Sequence, residues 1–399
     1  MIGCDVAIIG GGLMGTWTAF FLRRRGCAVV VLDKGEVGAQ ASGVNFGNLR
    51  VQGRFAGQLP LSLRAHALWE QIEALIGEAC EFEKTGHLYI ALEEKQREKL
   101  EHNVADARPH GLMVELLEGA DVRRRWPFLA PRVVAASYSA SDATANPRLV
   151  TPAVARAASA LGAQILPCNR VVAIEKTAAR FRLTTDTGLV IEADQLVNAA
   201  GAWAGDIAAS FGETVPMFAA GPPQFVTEPV AYFIEPSVQA VDGTVIFRQV
   251  RRGNVVVAGY PRGPSDRVNN RAPVPPAKTL KTMALLGAIV PALVGTHVIR
   301  VWSGIEGYLP DMLPVIGPSA TTPGLLHAFG FCGHGFQLGP GVGLVLSELL
   351  LDGGSQTPLA PFAIERFASP HAIDTAQLAG EFDDAMLQRN QGTSLITRP

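Results

Sequence analysis

The 399-residue chain has few cysteines and almost no net charge, and each scarcity excludes a class of protein. No Cys-x-x-Cys pair occurs among its five scattered cysteines, which are Cys4, Cys27, Cys80, Cys168 and Cys332. The sequence therefore encodes no iron–sulfur or zinc framework, and we predict no metal site. Because the formal net charge is −2, bulk electrostatics give no indication of a nucleic-acid partner.

Long hydrophobic runs are also absent. The longest apolar stretch, 283–294, is interrupted by Gly287 and Pro291 and is too short to span a bilayer. The N-terminus enters an apolar strand directly, with neither a basic leader nor a small-residue cleavage site, so we expect no signal peptide. We therefore predict a cytoplasmic protein without a transmembrane segment, which would meet a membrane only through a partner.

The most informative motif begins at residue 5. An apolar strand leads into a Gly-x-Gly-x-x-Gly turn at Gly10, Gly12 and Gly15, followed by a helix and a second strand that ends at Asp33. The first glycine permits the tight turn, the second lets backbone N–H groups approach a diphosphate, and the third lets helix and strand pack closely. Asp33 is placed to accept hydrogen bonds from a ribose diol. Alone, this unit fits NAD as well as FAD, and a glycine-rich turn without a ligand is the alternative.

Two later segments favour FAD. Residues 197–203 form a small-residue strand and turn, and 328–343 form a loop with six glycines that leads into an apolar helix. A helix N-terminus with free amides suits the pyrimidine edge of an isoalloxazine ring, which carries negative charge when reduced. Between them, 222–262 alternates apolar and polar residues with hairpin turns, which predicts an antiparallel sheet. We expect 93–127 to be helical and 263–278 to be a surface loop.

These segments resemble the D-amino-acid oxidase-like superfamily of FAD enzymes, which includes glycine oxidase and sarcosine oxidase. The resemblance covers nearly the whole chain. Three further stretches, 41–47, 145–150 and 302–304, look most like the β subunits of opine dehydrogenase, hydroxyproline dehydrogenase and hydrogen cyanide synthase. This resemblance implies oxidation of an amine C–N bond to an imine, with hydride passing to flavin N5. It also implies a hetero-oligomeric partner subunit that accepts the electrons.

The resemblance implies an α/β plus antiparallel β fold, in which a glutathione-reductase-like FAD-binding domain carries an inserted antiparallel-sheet substrate domain. The FAD-binding domain would comprise 1–85, 145–220 and 305–370. The substrate domain would comprise 86–144 and 221–304, and 371–399 would be a peripheral C-terminal tail.

The cofactor contacts implied by the resemblance follow from matching motifs. Gly10, Gly12 and Gly15 should hold the diphosphate, Asp33 the adenosine ribose, and Val172 the adenine through its backbone. The remaining expected contacts are Leu13, Met14, Lys34, Ser42, Asn48, Ala200, Gly201, Trp203, Gly333, His334, Gly335, Phe336 and Gln337. The FAD should be non-covalent, because 306–317 contains no cysteine, where relatives attach it.

Four residues are candidates for chemistry. Arg50 falls where sarcosine oxidase-like proteins place an arginine beside the flavin, and Arg54 is a second candidate for binding a carboxylate. Surface arginines on a loop are the alternative. We expect His334 to pack against the flavin edge and to orient its loop rather than to transfer a proton. The fourth candidate, Glu306, departs from the family pattern.

Two departures from the family pattern put simple glycine or sarcosine oxidation in doubt. Glu306 stands where glycine oxidase-like relatives carry the arginine that clamps the substrate carboxylate. A carboxylate there would attract a cationic amine, unless Glu306 pairs with Arg300 or Arg248. Gln337 stands where sarcosine oxidase-like relatives have a lysine.

The main hypothesis is an FAD-dependent dehydrogenase of amino-acid-derived secondary amines, opine-, hydroxyproline- or glycine-like, that passes electrons to a partner. A self-sufficient oxidase that releases hydrogen peroxide is the second hypothesis. A non-catalytic flavoprotein scaffold subunit is the third.

Overall fold

The computed structural model describes residues 1–177, 179–368, 378 and 380–384. In this part of the chain the strands, in chain order, are β1 (Ile2–Ile9), β2 (Val29–Leu32), β3 (Asn48–Leu49), β4 (His87–Ala91), β5 (Glu115–Glu118), β6 (Ala135–Ser139), β7 (Ala143–Thr144), β8 (Gln164–Leu166), β9 (Val171–Lys176), β10 (Phe181–Thr185), β11 (Val190–Asn198), β12 (Phe218–Ala220), β13 (Gln224–Pro229), β14 (Ser237–Ala240), β15 (Ile246–Gln249), β16 (Asn254–Ala258), β17 (Val298–Trp302), β18 (Glu306–Tyr308), β19 (Val315–Pro318) and β20 (Leu325–Phe329).

The α-helices are α1 (Leu13–Arg24), α2 (Ala41–Val44), α3 (Leu59–Trp69), α4 (Ile72–Ile76), α5 (Arg97–Ala107), α6 (Gly119–Arg125), α7 (Pro147–Ala160), α8 (Ala204–Ser210), α9 (Pro276–Ile289) and α10 (Gly335–Asp352).

The first large sheet contains the glycine-rich motif. Its main path runs β19-β20-β11-β1-β2-β8, and β10 and β9 extend it from β11. Strands β20, β11, β1, β2 and β8 are mutually parallel, and β19 is antiparallel to β20. This is the expected arrangement of an α/β nucleotide-binding sheet, with buried apolar strands and helices on its faces.

The second large sheet runs β17-β13-β16-β15-β14-β4-β6-β5 and is antiparallel except where β14 meets β4. The α/β plus antiparallel β class is therefore confirmed. The domain boundaries stay a proposal. The strands of this second sheet come from 87–139 and 224–302, and those of the first sheet from 2–32, 164–198 and 315–329.

Two expectations about single segments were wrong. The region 93–127 is not helical throughout, because β5 pairs with β6 at one edge of the second sheet and this pairing overrides the helix preference of its Glu and Leu residues. The expected surface loop 263–278 ends early, since α9 begins at Pro276.

The expected tail, 371–399, lies mostly outside the described residues. Its described part is not peripheral, because Leu378 and Phe382 are buried against Tyr308 and Phe218 in a common apolar cluster. No helix in the described part of the chain is both long enough and apolar enough to cross a membrane.

Helix α1 is buried between the first sheet and α10, and glycines make this close packing possible. A Cβ on Gly343 of α10 would lie 2.5 Å from the Cβ and 2.6 Å from the backbone carbon of Trp17 in α1. Backbone atoms cannot move aside as a flexible side chain can. The α1–α10 spacing therefore depends on the absence of a side chain at this position.

We expect Gly343→Ala to destabilise the protein by about 3 kcal/mol, because overpacking against backbone forces the two helices apart. The melting temperature of the protein, followed by circular dichroism, would measure the loss. Gly354→Ala is the matched control, since nothing lies within 4 Å of a Cβ at that exposed position. Equal melting temperatures for the two variants would contradict the proposed packing constraint.

Candidate functional site

A large cavity has a volume of about 630 Å³, which lies in the range of roughly 300–1,000 Å³ typical of ligand sites. It runs along the carboxyl ends of the parallel strands, where open α/β sheets bind ligands. The chain segments that contribute to its wall are 9–14, 32–48, 169–171, 199–207, 267–268, 305–307 and 328–336.

The glycine-rich turn forms one wall of this large cavity. Gly10 has a φ of +113°, and a Cβ there would lie 2.2 Å from the carbonyl oxygen of Ala199. A Cβ on Gly15 would lie 1.9 Å from the carbonyl oxygen of Gly10. Gly15 itself does not line the cavity, and the absence of a side chain there lets α1 pack under the turn. The positive end of α1 therefore opens into the cavity at Gly12, Leu13 and Met14.

Asp33 lies beside this turn and shapes it. Its carboxylate accepts hydrogen bonds from the backbone N–H groups of Gly11, at 2.7 Å, and Gly35, at 2.8 Å. Burial nevertheless raises the pKa of Asp33. Ser42 reaches the same turn, since its Oγ accepts a hydrogen bond of 2.9 Å from the N–H of Leu13.

Lys34 and Trp203 form a second wall near Asp33. The Lys34 ammonium lies 3.0 Å from the centre of the Trp203 indole and donates to Asn270 at 2.6 Å. Trp203 Nε1 donates to the carbonyl oxygen of Arg267. Burial and the nearby charges of Arg170 and Arg267 lower the pKa of Lys34 to about 8. The loop that the sequence predicted to be a surface loop thus contributes to the cavity wall.

Fourteen of the residues predicted to bind the cofactor line the large cavity: Gly10, Gly12, Leu13, Met14, Asp33, Lys34, Ser42, Asn48, Ala200, Gly201, Trp203, Gly333, Gly335 and Phe336. Val172 is not among them, since its side chain is 59 % exposed and the neighbouring Val171 lines the cavity. The expected backbone contact of Val172 with adenine stays a prediction.

A smaller cavity of about 130 Å³ adjoins the first, and the two share wall residues in the 45–48 loop and the 330–337 loop. Arg50, Arg54, His334 and Gln337 line only this smaller cavity, and Glu306 lines both. The structure therefore brings all four candidate catalytic residues together, beside the glycine-rich loop that begins α10.

Arg50 and Arg54 are not surface arginines, because they are only 8 % and 5 % exposed. Arg54 donates to the carbonyl oxygen of Arg50 and to Gln58 Oε1, each at 3.0 Å. Arg50 donates to the carbonyl oxygen of Gln52 and lies 5.1 Å from the centre of the Tyr89 ring. Burial, with the charge of Arg50, lowers the pKa of Arg54 to about 9. Neither guanidinium has a carboxylate within 4 Å in the described part of the chain.

Asp142, which the sequence analysis missed, holds this arginine segment in place. Its two carboxylate oxygens accept from the backbone N–H groups of Val51 and Gln52. Burial raises its pKa to about 6. The residue follows β6 without any motif, so only the packing of the second sheet against 50–54 reveals it.

Glu306 is half-buried at the junction of the two cavities. Its carboxylate accepts a hydrogen bond from the Tyr308 hydroxyl, and burial raises its pKa although the charge of Arg262 opposes the shift. The alternative expectation that Glu306 pairs with Arg248 was wrong, because Arg248 donates to the carbonyl oxygens of Phe46 and Ala145.

His334 and Gln337 differ in how they contribute. Burial and the charges of Arg54, Arg50 and Arg262 lower the pKa of His334 far below its ordinary value, so the imidazole is neutral. Gln337 exchanges hydrogen bonds of 2.8 Å with Ser62, which ties α10 to α3. Its amide is therefore occupied by this structural contact.

Arg262 is the second residue that the sequence analysis missed. It follows β16, is 4 % exposed and lines the smaller cavity. Its Nη1 donates to Glu381 at 2.8 Å and its Nη2 to the Tyr260 hydroxyl at 2.9 Å. Because Glu381 is 119 residues away in the sequence, no local motif could have predicted this ion pair.

The cavities fit the flavin predicted from the sequence. Two helix N-termini without an acidic residue in the first turn, those of α1 and α10, open towards the large cavity. Asn48 Oδ1, in the wall of both cavities, and His334 Nδ1, in the wall of the smaller one, are buried. Neither atom has a hydrogen-bond partner among the described residues. The Cys332 thiol is buried, with a pKa raised to about 12, so it is not a nucleophile for covalent attachment.

We expect Asp33→Asn to weaken FAD binding by about tenfold or more, because the neutral side chain loses one acceptor for the turn and for a ribose diol. Fluorescence titration of the apoprotein with FAD measures the dissociation constant. Glu36→Gln is the control, since Glu36 lines the same cavity but accepts no hydrogen bond from the turn. Equal losses in the two variants would show that only charge matters.

Comparison with known proteins agrees with this geometry. The chain matches the family model "FAD dependent oxidoreductase" (DAO) over residues 5–349. It is 28% identical to glycine oxidase of Geobacillus kaustophilus over 370 residues, which covers 91% of this chain and 97% of that protein. The crystal structure of that glycine oxidase superposes with a TM-score of 0.86 at 25% identity, covering 93% of this chain and 100% of the other.

Two subunits of larger enzymes are similar as well. The HcnC subunit of hydrogen cyanide synthase from Pseudomonas aeruginosa is 25% identical over 93% of this chain and 98% of its own length. A subunit of opine oxidase from Rhizobium meliloti is 27% identical over 93% and 100%. The chain therefore belongs to the DAO family of FAD-dependent oxidoreductases, and it is an enzyme with FAD as its cofactor.

Proposed function

We propose that the protein is a dehydrogenase that oxidises a C–N bond of an amino-acid-derived secondary amine to an imine. The substrate would be opine-, hydroxyproline- or glycine-like. The observation that carries this proposal is the small cavity beside the loop that precedes α10. It is lined by the buried Arg50 and Arg54 and by the half-buried Glu306. The cavity supplies positive and negative charge in a space sized for a small zwitterion.

The chain's own residues would hold FAD along the large cavity. Asp33 would accept from the ribose, and the α1 N-terminus would face the diphosphate. The loop at Gly333 and the start of α10 would meet the ring. Bound FAD supplies the electron-accepting centre, taking a hydride at N5 as the amine becomes an imine.

Arg50 and Arg54 would bind the substrate carboxylate. Both are buried and lack a carboxylate partner within 4 Å among the described residues, so an entering carboxylate would compensate a charge that the fold leaves unpaired. A guanidinium in a desolvated cavity also binds a carboxylate more strongly than one in water.

Glu306 would face the amine. Its carboxylate stays close to the cationic form of a secondary amine and is the group placed to take up the proton that the amine must lose before oxidation. His334 would remain neutral and orient the loop that leads into α10. These assignments leave the Tyr308 hydroxyl as the donor that positions the Glu306 carboxylate.

The electron acceptor is part of the proposal. HcnC and the similar opine oxidase chain are by name subunits, and we propose a hetero-oligomeric partner that accepts the electrons of this chain too. A cytoplasmic location stays a prediction from the sequence. A non-catalytic scaffold would have no need of two buried, unpaired arginines beside the cofactor loop.

Anaerobic mixing of the FAD-loaded protein with opines, hydroxyproline and N-methylglycine tests the function. We expect at least one to bleach the visible absorbance of the bound flavin, and air to restore the absorbance slowly. Rapid reoxidation would favour the oxidase hypothesis. Absence of bleaching by every amine, with or without a co-expressed partner, would refute the proposal.

The charge of Arg54 makes a separate prediction about carboxylate binding. Its guanidinium stays charged at neutral pH, as arginine does in proteins, and it has no carboxylate within 4 Å among the described residues. A carboxylate ligand such as (methylthio)acetate should therefore bind at least about tenfold more weakly to Arg54→Gln than to the wild type. Absorbance titration of the FAD-loaded proteins gives the two dissociation constants. Equal constants would assign carboxylate binding to another group.

A further inference from the structure

Arg262 carries a third positive charge into the small cavity, and its environment differs from that of Arg50 and Arg54. Its guanidinium lies 4.1 Å from the centre of the Tyr260 ring and 4.8 Å from that of Tyr308. A Cβ built on Gly333 would lie 3.5 Å from Arg262 Nη2, which places this nitrogen beside the glycine-rich loop. By position, Arg262 is therefore available to a substrate.

Glu381, however, already forms an ion pair with Arg262, which limits how the arginine can bind a substrate. The carboxylate of Glu381 accepts from Arg262 Nη1 at 2.8 Å, and the backbone groups of Arg262 pair with those of Glu381 and Asp383. Phe382 lies between these two residues and packs its ring 4.9 Å from the guanidinium. The segment 380–384 thus holds Arg262 by charge, by backbone hydrogen bonds and by ring stacking.

The small cavity is surrounded by three arginines, and nearby carboxylates compensate part of their positive charge. Arg262 is balanced by Glu381. Asp142 is hydrogen-bonded to the backbone of Val51 and Gln52, so its negative charge lies beside the arginine segment and reduces the net charge there from two to one without an ion pair to either arginine. One positive charge remains uncompensated on the Arg50–Arg54 side. One negative charge, that of Glu306, remains at the junction with the large cavity.

We infer that the substrates are amines with a single carboxylate, and that Glu381 is a specificity-determining residue that excludes amino dicarboxylates by occupying Arg262. The inference rests on the proposed function and narrows it to hydroxyproline- and glycine-like amines. Glu381 touches no substrate, so it acts through Arg262 as a positioning residue.

A second substrate carboxylate would meet two obstacles. The Arg262 nitrogens that would bind it already donate to Glu381 and to the Tyr260 hydroxyl. Glu306 lies close enough for Arg262 to influence its pKa, so a second carboxylate there would also face a like charge. Like charges brought together in a buried site cost several kcal/mol.

Two unreactive thioether acids provide the test. (Methylthio)acetate carries one carboxylate and thiodiacetate carries two, and sulfur replaces the oxidisable amine in both. Their dissociation constants are measured on the FAD-loaded protein by absorbance titration. We expect the wild type to bind (methylthio)acetate at least about tenfold more tightly than thiodiacetate, which corresponds to about 1.4 kcal/mol.

Glu381→Gln keeps the side-chain shape and removes its charge, so the preference should shrink by about tenfold. Arg262→Gln should act in the opposite direction and increase the preference. Asp384→Asn is the matched control, since it removes a negative charge at an exposed position of the same segment and should leave the ratio unchanged. A merely structural defect would weaken both acids alike and would not move the ratio in opposite directions.

The outcomes separate this inference from the proposed function. Equal binding of the two acids by the wild type, or an unchanged ratio in Glu381→Gln, would overturn the inference alone. If neither acid binds the wild type, the carboxylate site fails and both the inference and the proposed function are overturned.

Discussion

Close packing around α1 is the constraint on which the rest of the site depends. The helix is pressed between the parallel sheet and α10, with Gly15 against the turn at Gly10 and Gly343 against Trp17. Side chains at these positions would displace α1 from both neighbours. Because α1 and α10 are held this close, their N-termini open into one cavity from residues more than 300 positions apart. Two partial positive charges thus converge there, in addition to the basic side chains of Lys34, Arg170 and Arg267 in the cavity wall.

The parts of the site that are encoded locally could be predicted from the sequence. Gly10 and Asp33 impose backbone requirements within one βαβ unit, so their spacing alone locates the cavity wall. The direction of a side chain on a helix was harder to predict. Gln337 lies in the expected segment, but its amide is occupied by Ser62 of α3, which is far from it in the sequence.

The parts that depend on distant side chains could not be predicted. Asp142 holds the arginine segment through hydrogen bonds that span 91 residues, and Glu381 reaches Arg262 across 119. Neither carries a motif, and an isolated carboxylate in a sequence is usually exposed. Their roles emerge only from the pairing of the second sheet and from the return of the C-terminal segment to the cavity.

The distribution of buried charge distinguishes structural arginines from arginines kept for a ligand. Arg262 has a carboxylate partner and aromatic neighbours, so folding alone accounts for its burial. Arg54 has only neutral acceptors, and an unpaired buried charge costs several kcal/mol that packing elsewhere must offset. A fold under selection for stability alone would replace Arg54 with an apolar residue. The burial of Arg54, beside a segment fixed by Asp142, is explained if a substrate carboxylate supplies the missing charge during each catalytic cycle.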